Sequence, residues 1–226
     1  MFSKIDLGAV KSFLYQNFRQ RFPFNKILEQ ENENLNLLIS SINIYPDSVL
    51  DIGIGHGNAL IGFQACFNRM EPDLHKRFLK NNQPSLQIVP GFPLIIGIDN
   101  SWPMIKYAQR AVKAELLKGN GCHLPFKNQS LALILAIGII EYLPDVTIFF
   151  QEVCRVLRKN GCLIVTFSPW NFLFFLRFLL GNRLYFHSMN EFELAFQKHS
   201  FRLERKLEAP MQIQYLLKKY DVSPFK

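Results

Sequence analysis

Closely spaced cysteines, blocks of like charge and long apolar runs are all missing from this sequence of 226 residues. Its four cysteines form no CxxC pair and no cluster with histidines, which argues against a zinc site and against a disulfide framework. We therefore expect free thiols and no metal site. The cysteines are Cys66, Cys122, Cys154 and Cys162.

The pattern of apolar residues also argues against a membrane-spanning or secretory segment. No apolar h-region follows residues 1–6, and Ser168, Asn171 and Arg177 interrupt the most apolar segment, residues 163–180. A spanning helix needs about 20 consecutive apolar residues. We expect a cytoplasmic protein whose contact with a membrane is at most peripheral.

The formal net charge of +8 would favour an anionic partner. The lysines and arginines are spread along the chain without a basic block, which is typical of a solvated surface. This distribution predicts no nucleic-acid partner, although a basic surface could assist docking at an anionic bilayer.

The hydrophobic pattern predicts one α/β domain. Strand-like runs at 48–52, 94–99, 115–117, 131–137 and 162–167 alternate with helical patterns, and this alternation favours a parallel sheet. Two further runs, 201–207 and 211–217, are separated by Ala209 and Pro210 and predict an antiparallel pair. We expect a Rossmann-like, doubly wound, mostly parallel seven-stranded sheet with a C-terminal antiparallel strand pair.

Several local features carry narrower predictions. Helical spacing predicts two leading helices around 10–18 and 35–42, and Ser188 with Glu191 has the spacing of a capping box. Residues 68–92, which contain Pro72, are interpreted as an insertion with a short helix near 75–79. Asn160 and Gly161 are expected to end the helix before the fifth strand.

A glycine loop follows the first strand. Gly53, Gly55 and Gly57 remove side chains where the backbone can approach a ligand, and the next helix begins with unpaired N–H groups. A small ligand with polar or anionic groups is expected there. The spacing differs from the GxGxxG dinucleotide fingerprint, so a pyrophosphate is disfavoured.

Asp99 ends the second strand. Its carboxylate could accept hydrogen bonds from both hydroxyls of a ribose, or it could cap the next helix. The glycine loop before it favours the ribose interpretation, but the position alone leaves both open.

These segments resemble a known family. Residues 49–57 resemble motif I of the class I S-adenosylmethionine-dependent methyltransferases, and residues 97–104 are similar to their second motif. Residues 124–126, 141–145 and 152–161 resemble, in order and spacing, the later motifs of the type 11 group, which includes ubiquinone and menaquinone biosynthesis enzymes. The resemblance covers about residues 45–168.

The resemblance implies S-adenosylmethionine as cofactor. Asp51 and the glycine loop would hold its methionine end, and Asp99 would hold its ribose. Asn100 and Met104 would contact its adenine. Asn120 and Gly121 stand where the family often has an acidic residue that faces the adenine amino group. Ala132 departs from an Asp that is common in relatives. The implied cofactor-binding residues are Asp51, Gly53, Gly55, Gly57, Asp99, Asn100, Met104, Asn120, Gly121 and Gly138.

The implied reaction is methyl transfer to a small acceptor. The aromatic segment 169–187 either covers a pocket for an apolar acceptor, which is our hypothesis, or is a helix buried between the sheet and the leading helices. Residues 1–44 are expected to cover the acceptor site, and residues 45–226 to form the methyltransferase domain with segment 169–187 as a lid. No catalytic residue is assigned: His187 or Glu141 could act as a base, although a lone histidine is more often structural. The alternatives are a non-catalytic binding protein on the same scaffold and a nucleic-acid methyltransferase.

Overall fold

The structure is a computed structural model that describes residues 24–80, 93–169 and 183–220. The helices are α1 (Phe24–Ser40), α2 (Asn58–Lys80), α3 (Trp102–Ala111), α4 (Val146–Val156) and α5 (Met189–Lys198). The strands are β1 (Ser48–Ile52), β2 (Leu94–Asp99), β3 (Glu115–Lys118), β4 (Leu131–Ala136), β5 (Leu157–Phe167), β6 (Phe201–Glu208) and β7 (Ile213–Lys219). A short 3₁₀ helix, Ile140–Tyr142, follows β4.

The strands form one sheet in the order β3-β2-β1-β4-β5-β7-β6. The first five are mutually parallel, whereas β7 runs antiparallel to both β5 and β6. This arrangement confirms the predicted fold class: a doubly wound, mostly parallel sheet of seven strands with an antiparallel C-terminal pair.

Both faces of the sheet are covered. Alternate strand residues point to opposite sides, so Val49 packs in the cluster formed with α1 and α2, while its neighbour Leu50 packs with α4 and α5. β4 is buried along its whole length, as expected of a central strand covered on both faces.

The strand order reverses at β1, which has β2 on one side and β4 on the other. Chains leaving two such strands diverge to opposite faces and open a crevice at the carboxyl edge, where ligands bind in open α/β sheets. The glycine loop leaves β1 at this edge, and Gly138 follows β4 there.

Two predicted boundaries were wrong. Helix α2 runs through Pro72 to Lys80 without a break, so the helix does not end before Asn68 and residues 75–79 are not a separate short helix. The helix packs the apolar face Phe63, Phe67 and Met70 against the core, and this packing outweighs a single proline. Residues 81–92 lie outside the described part of the chain.

The second wrong boundary is the end of α4. The helix ends at Val156, and β5 begins at Leu157, so Gly161 lies inside the strand rather than before it. Leu131 pairs with Leu157 and Leu133 pairs with Cys162, which leaves residues 158–161 as an irregularity in the ladder. Asn160 has a φ of 59°, a conformation that Asn tolerates better than most residues.

Other local predictions are confirmed. Ser188 and Glu191 form the reciprocal capping box at the start of α5. All four cysteines are free. The helix expected around 10–18 and most of the expected lid, residues 170–182, lie outside the described residues.

Candidate functional site

A cavity of about 1280 Å³ opens at the carboxyl edge of the sheet. It exceeds the roughly 300–1,000 Å³ of a typical small-molecule pocket, so it has room for two ligands side by side. Nine of the ten residues predicted to bind a cofactor line it: Asp51, Gly53, Gly55, Asp99, Asn100, Met104, Asn120, Gly121 and Gly138. We call the part around Asp51, Gly55 and Asp99 the glycine-loop end.

Two glycines of the loop, Gly53 and Gly55, line the cavity and determine the backbone conformation of the loop there. Gly53 and Gly55 have φ values of 72° and 53°, which side-chain-bearing residues rarely adopt. A Cβ on Gly53 would also lie 2.2 Å from Ile139 Cγ2. The backbone N–H groups of Gly53 and Ile54 donate to the Ile98 carbonyl at 2.8 and 3.1 Å, which ties the loop to β2.

Gly57, the tenth predicted residue, is not among the residues that line the cavity. Its φ is 85°, and a Cβ there would lie 2.9 Å from Val112 Cγ1. Gly57 therefore turns the chain into α2 and lets it pack closely on the end of α3.

Asp99 holds the loop and the next helix together. Its Oδ2 accepts from Gly55 N at 3.0 Å, and its Oδ1 accepts from Ser101 N at 2.9 Å. Ser101 occupies the N-cap position of α3, but its side chain makes no capping hydrogen bond. A carboxylate has about four acceptor positions, so Asp99 can still accept from ligand hydroxyls.

Asp51 is a buried carboxylate at the end of β1, with a relative exposure of 1%. Its Oδ2 makes no hydrogen bond within the described ranges. Burial holds the pKa of this carboxyl well above its usual range, and the charge of nearby Asp99 raises it further. Burial also raises the pKa of Asp99, against the lowering effect of its backbone hydrogen bonds. Two neighbouring carboxylates, one buried and one partly buried, favour a ligand that carries positive charge.

The loop after β3 forms another wall of the cavity. Asn120 Oδ1 accepts from Cys122 N at 2.9 Å, and Asn120 O accepts from His123 N at 3.0 Å, so this Asn shapes its own turn. Gly121 packs so closely on β1 that a Cβ would lie 2.6 Å from Ile52 Cγ2. Met104, a buried residue of α3, also lines the cavity.

Gly138 differs from the other glycines. Its φ is 69°, yet a Cβ there would meet no atom within 4 Å, so the position faces open space. Its N–H donates to Thr166 Oγ1 at 2.7 Å, which joins the end of β4 to β5. The absent side chain at Gly138 keeps the middle of the cavity open.

A charged network holds the chain beyond this wall. Glu152 Oε1 accepts from Leu124 N at 2.6 Å, and Arg155 donates both to Glu152 and to the carbonyls of Leu124 and Phe126. The hydrogen bond from Arg155 lowers the pKa of Glu152. Both residues fell within a segment that resembled a family motif, and here they anchor the loop to α4.

Another part of the cavity is formed by residues of α1 and of β7 with its preceding turn, and we call it the α1–β7 end. Glu31, Gln212 and Gln214 line it and are buried. Sequence reasoning missed all three, because α1 and β7 stand at opposite ends of the chain. The one available signal was the row Leu28, Glu31 and Leu35, which places a charged residue among apolar ones on one helix face.

Three other residues of interest lie elsewhere. His187 Nε2 makes a 2.7 Å hydrogen bond to the Leu143 carbonyl, which can only accept, so that nitrogen donates. Glu141 accepts from Ser168 Oγ at 3.3 Å. Neither residue, nor Ala132 inside β4, is among those that line the cavity. The departure at Ala132 therefore leaves the cavity unchanged.

Comparison with known families and proteins finds similarity to methyltransferases. The family described as "Methyltransferase domain" matches residues 83–165. A demethylmenaquinone methyltransferase of Lactiplantibacillus plantarum is 31% identical over 115 residues, which are 43% of this chain and 48% of that protein. The chain thus matches about half the length of this relative.

Solved structures share the fold over most of the chain. Magnesium protoporphyrin IX methyltransferase from Synechocystis, solved with bound S-adenosylhomocysteine, has a TM-score of 0.64 at 14% identity, covering 95% of this chain and 97% of that one. Geranyl diphosphate C-methyltransferase from Streptomyces coelicolor has a TM-score of 0.60 at 14% identity, covering 86% and 81%. At such identities the likeness concerns the fold.

Proposed function

Because the chain belongs to the class I S-adenosylmethionine-dependent methyltransferases, we propose that it transfers a methyl group from S-adenosylmethionine to a small acceptor. The observation that carries this proposal is the pair of carboxylates beside the glycine loop in one cavity: Asp51, which is buried, and Asp99, which is partly buried. The family was predicted from the ordered motifs, and the domain match and the fold confirm it.

The residues present fit this cofactor. S-adenosylmethionine carries an ammonium group and a sulfonium, and the unsatisfied Oδ2 of Asp51 provides a buried anionic acceptor for a cationic donor. In the proposed arrangement Asp51 and the loop through Gly53 and Gly55 hold the methionine end, and Asp99 accepts from the ribose hydroxyls. Asn100, Met104, Asn120 and Gly121 would surround the adenine, and Gly138 leaves the room in which the acceptor approaches.

When bound, this cofactor supplies an electrophilic methyl group on a cationic leaving group. The protein then has mainly to align the acceptor, and orientation alone can lower such a barrier by about 7–11 kcal/mol. The cavity walls serve this role, and no described lining residue has to act as a nucleophile. His187 and Glu141 are not positioned to act as bases, since neither lines the cavity and each is held in a hydrogen bond.

We further propose that the acceptor has an apolar body. Ile137, Ile139, Tyr142, Leu143 and Ile148 form an apolar wall of the cavity. The names of relatives agree in part: demethylmenaquinone, a protoporphyrin and geranyl diphosphate each have a large hydrocarbon body, although geranyl diphosphate also carries an anionic group. The proposed covering of this site by residues 1–44 receives support from α1, which lines the cavity.

The nucleic-acid alternative finds little support. Among the described residues that line the cavity, none is a lysine or an arginine, whereas nucleic-acid enzymes depend on such residues for phosphate contacts. The non-catalytic alternative was encouraged by Ala132 and Asn120; Ala132 lies outside the cavity lining, and Asn120 keeps a turn-forming role.

We also propose that the protein contacts a membrane peripherally. Across residues 24–80, 93–169 and 183–220, no helix combines the length and the apolarity needed to cross a bilayer. Tyr142 and Ile148 line the cavity and are each 43% exposed, which gives its mouth an apolar rim. Flotation with anionic liposomes should recover the protein at low salt; absence from the floating fraction would remove the proposal.

The proposed function is tested by calorimetric titration with S-adenosylmethionine and S-adenosylhomocysteine. The wild-type chain should bind both at one site. Gly55→Arg, which places a long side chain into the cavity, and Asp99→Ala should each weaken binding by about 100-fold, the size expected from losing charge-assisted hydrogen bonds. A wild-type chain that shows neither heat nor thermal stabilisation with either ligand would refute the proposal.

A further inference from the structure

We propose that the α1–β7 end of the cavity binds the acceptor through a hydrogen-bond-donating group, a hydroxyl or an amine, and that Gln214 accepts this hydrogen bond. The inference rests on the proposed function, because it names the substrate class for the same cavity. It starts from one buried side chain whose orientation the structure fixes.

Gln214 belongs to β7 and has a relative exposure of 1%. Its Nε2 donates to the main-chain carbonyl of Glu31 at 2.8 Å. A carbonyl oxygen only accepts, so the amide nitrogen must face α1, and the orientation of the amide is determined. Gln214 Oε1 is thereby left as an acceptor, and it has no hydrogen-bond partner in the described part of the chain.

A buried acceptor without a partner is costly, and native proteins rarely retain one without a reason. Gln214 lines the cavity, so a ligand there can supply the missing donor. Only a group with an O–H or N–H can do so, because Oε1 has no proton to give. The unsatisfied oxygen therefore selects the class of group that a ligand must present.

The surroundings of Gln214 are polar as well. Of the six buried polar or charged residues in the described ranges, three lie at this end, namely Glu31, Gln212 and Gln214. Helix α1 contributes a lining row at helical spacing, in which Asn32 and Asn36 stand next to Glu31. This end is thus built to make directional hydrogen bonds.

The charge of the cavity disfavours acceptors that carry a phosphate. Its described lining contains the carboxylates of Glu31, Asp51, Asp99 and Asp145 and neither lysine nor arginine. An acceptor with a phosphate would be repelled by these carboxylates and would find no lysine or arginine among the described lining residues. The acceptor class is therefore neutral or cationic, with an apolar body against the wall at Ile137 and a donor group at Gln214.

The test measures acceptor binding to protein saturated with S-adenosylhomocysteine, so that turnover is not required. Four probes share one two-ring apolar body: a naphthol, a naphthylamine, a methoxynaphthalene and a naphthyl phosphate. The naphthol or the naphthylamine should bind the wild-type chain about tenfold more tightly than the methoxynaphthalene, since the last lacks a donor for the buried oxygen. The naphthyl phosphate should bind most weakly.

Variants then assign the effect to Gln214. Gln214→Met keeps the length of the side chain but removes the acceptor, and it should abolish the preference for the donor-bearing probes. Gln64→Met is the matched control, because Gln64 Nε2 also donates to a main-chain carbonyl, that of Lys113 at 3.1 Å, from a position outside the cavity lining. This control should keep the preference of the wild type.

Binding of S-adenosylhomocysteine separates this inference from the proposed function. Both variants should bind it within about twofold of the wild type, which also shows that they fold. The inference is overturned if the saturated wild type has no preference for a donor-bearing probe, if it binds the naphthyl phosphate best, or if folded Gln214→Met keeps the preference. A wild type that cannot bind S-adenosylhomocysteine would instead refute the proposed function.

Discussion

The two ends of the cavity are assembled from very different parts of the chain. At the glycine-loop end, Asp51, Gly53 and Gly55 are near neighbours in sequence, and Asp99 ends the adjacent strand. At the α1–β7 end, Gln214 reaches the Glu31 carbonyl across 183 positions of the sequence. The glycine-loop end depends on a local backbone shape. The α1–β7 end forms only when α1 packs beside β7, which joins distant parts of the chain. Their responses to mutation should differ accordingly.

The largest effect should come from the backbone of the glycine loop. Gly53→Ala combines a left-handed φ of 72° with a Cβ placed 2.2 Å from Ile139 Cγ2. The strain costs about 1–2 kcal/mol and the overpacking about 1–3 kcal/mol, and each kcal/mol should lower Tm by about 2–4 °C.

Gly138→Ala is the matched control for this prediction. Its φ of 69° is similar, but its Cβ would meet no atom within 4 Å, so it should cost only the strain of about 1–2 kcal/mol. Thermal melts of the two variants without ligand make the comparison. Equal Tm values would show that contact with Ile139 does not matter.

Asp51→Asn should affect folding and binding in opposite directions. The pKa of Asp51 is raised in the folded chain, so its carboxyl stabilises the fold least once the pH exceeds that raised pKa. Replacing it by a neutral amide should stabilise the ligand-free chain at neutral pH by about 1 kcal/mol. Affinity for S-adenosylmethionine should fall about 10- to 100-fold, because a charge-assisted hydrogen bond is lost.

Asp47→Asn provides the contrast for Asp51→Asn. Asp47 Oδ2 pairs with Arg158 Nη1 at 2.6 Å outside the cavity lining, at partial exposure. Its replacement should destabilise the fold by up to about 1 kcal/mol and leave cofactor affinity unchanged. If Asp51→Asn destabilised the chain as Asp47→Asn does, the buried charge of Asp51 would not be what destabilises the folded wild-type chain.

The pH dependence of cofactor affinity should show the role of Asp51 as well. As the pH falls through the raised pKa of Asp51, the carboxyl gains a proton and can no longer attract a cation. Affinity should therefore decline as the pH is lowered from alkaline values through that raised pKa, and the decline should be shallower in Asp51→Asn. Calorimetric titrations across this range measure it; superimposable profiles for the two proteins would contradict the role of Asp51.

The smallest effect should be the coupling between the two ends. Asp51→Asn and Gln214→Met change different elements of the cavity wall and share no hydrogen-bond partner among those described. Their effects on affinity for S-adenosylhomocysteine should therefore add within about 0.3–0.5 kcal/mol. A double-mutant cycle by calorimetry gives the value. Coupling well above that range would mean that the two ends act as one site.

The same contrast explains what the sequence could predict. The fold class was predicted from hydrophobic periodicity. The glycine loop and Asp99 were predicted from short motifs whose residues are neighbours in the sequence. Gln214 and Glu31 carry no such signal, because their meeting depends on α1 packing beside β7. The continuation of α2 through Pro72 was missed because tertiary packing outweighed a local helix breaker.

The most direct test of the account is a crystal structure with bound S-adenosylhomocysteine. The ligand should lie along the glycine loop, with its amino group on Asp51 Oδ2 and its ribose hydroxyls on Asp99. A ligand bound elsewhere, or one that contacts neither carboxylate, would contradict the central claim.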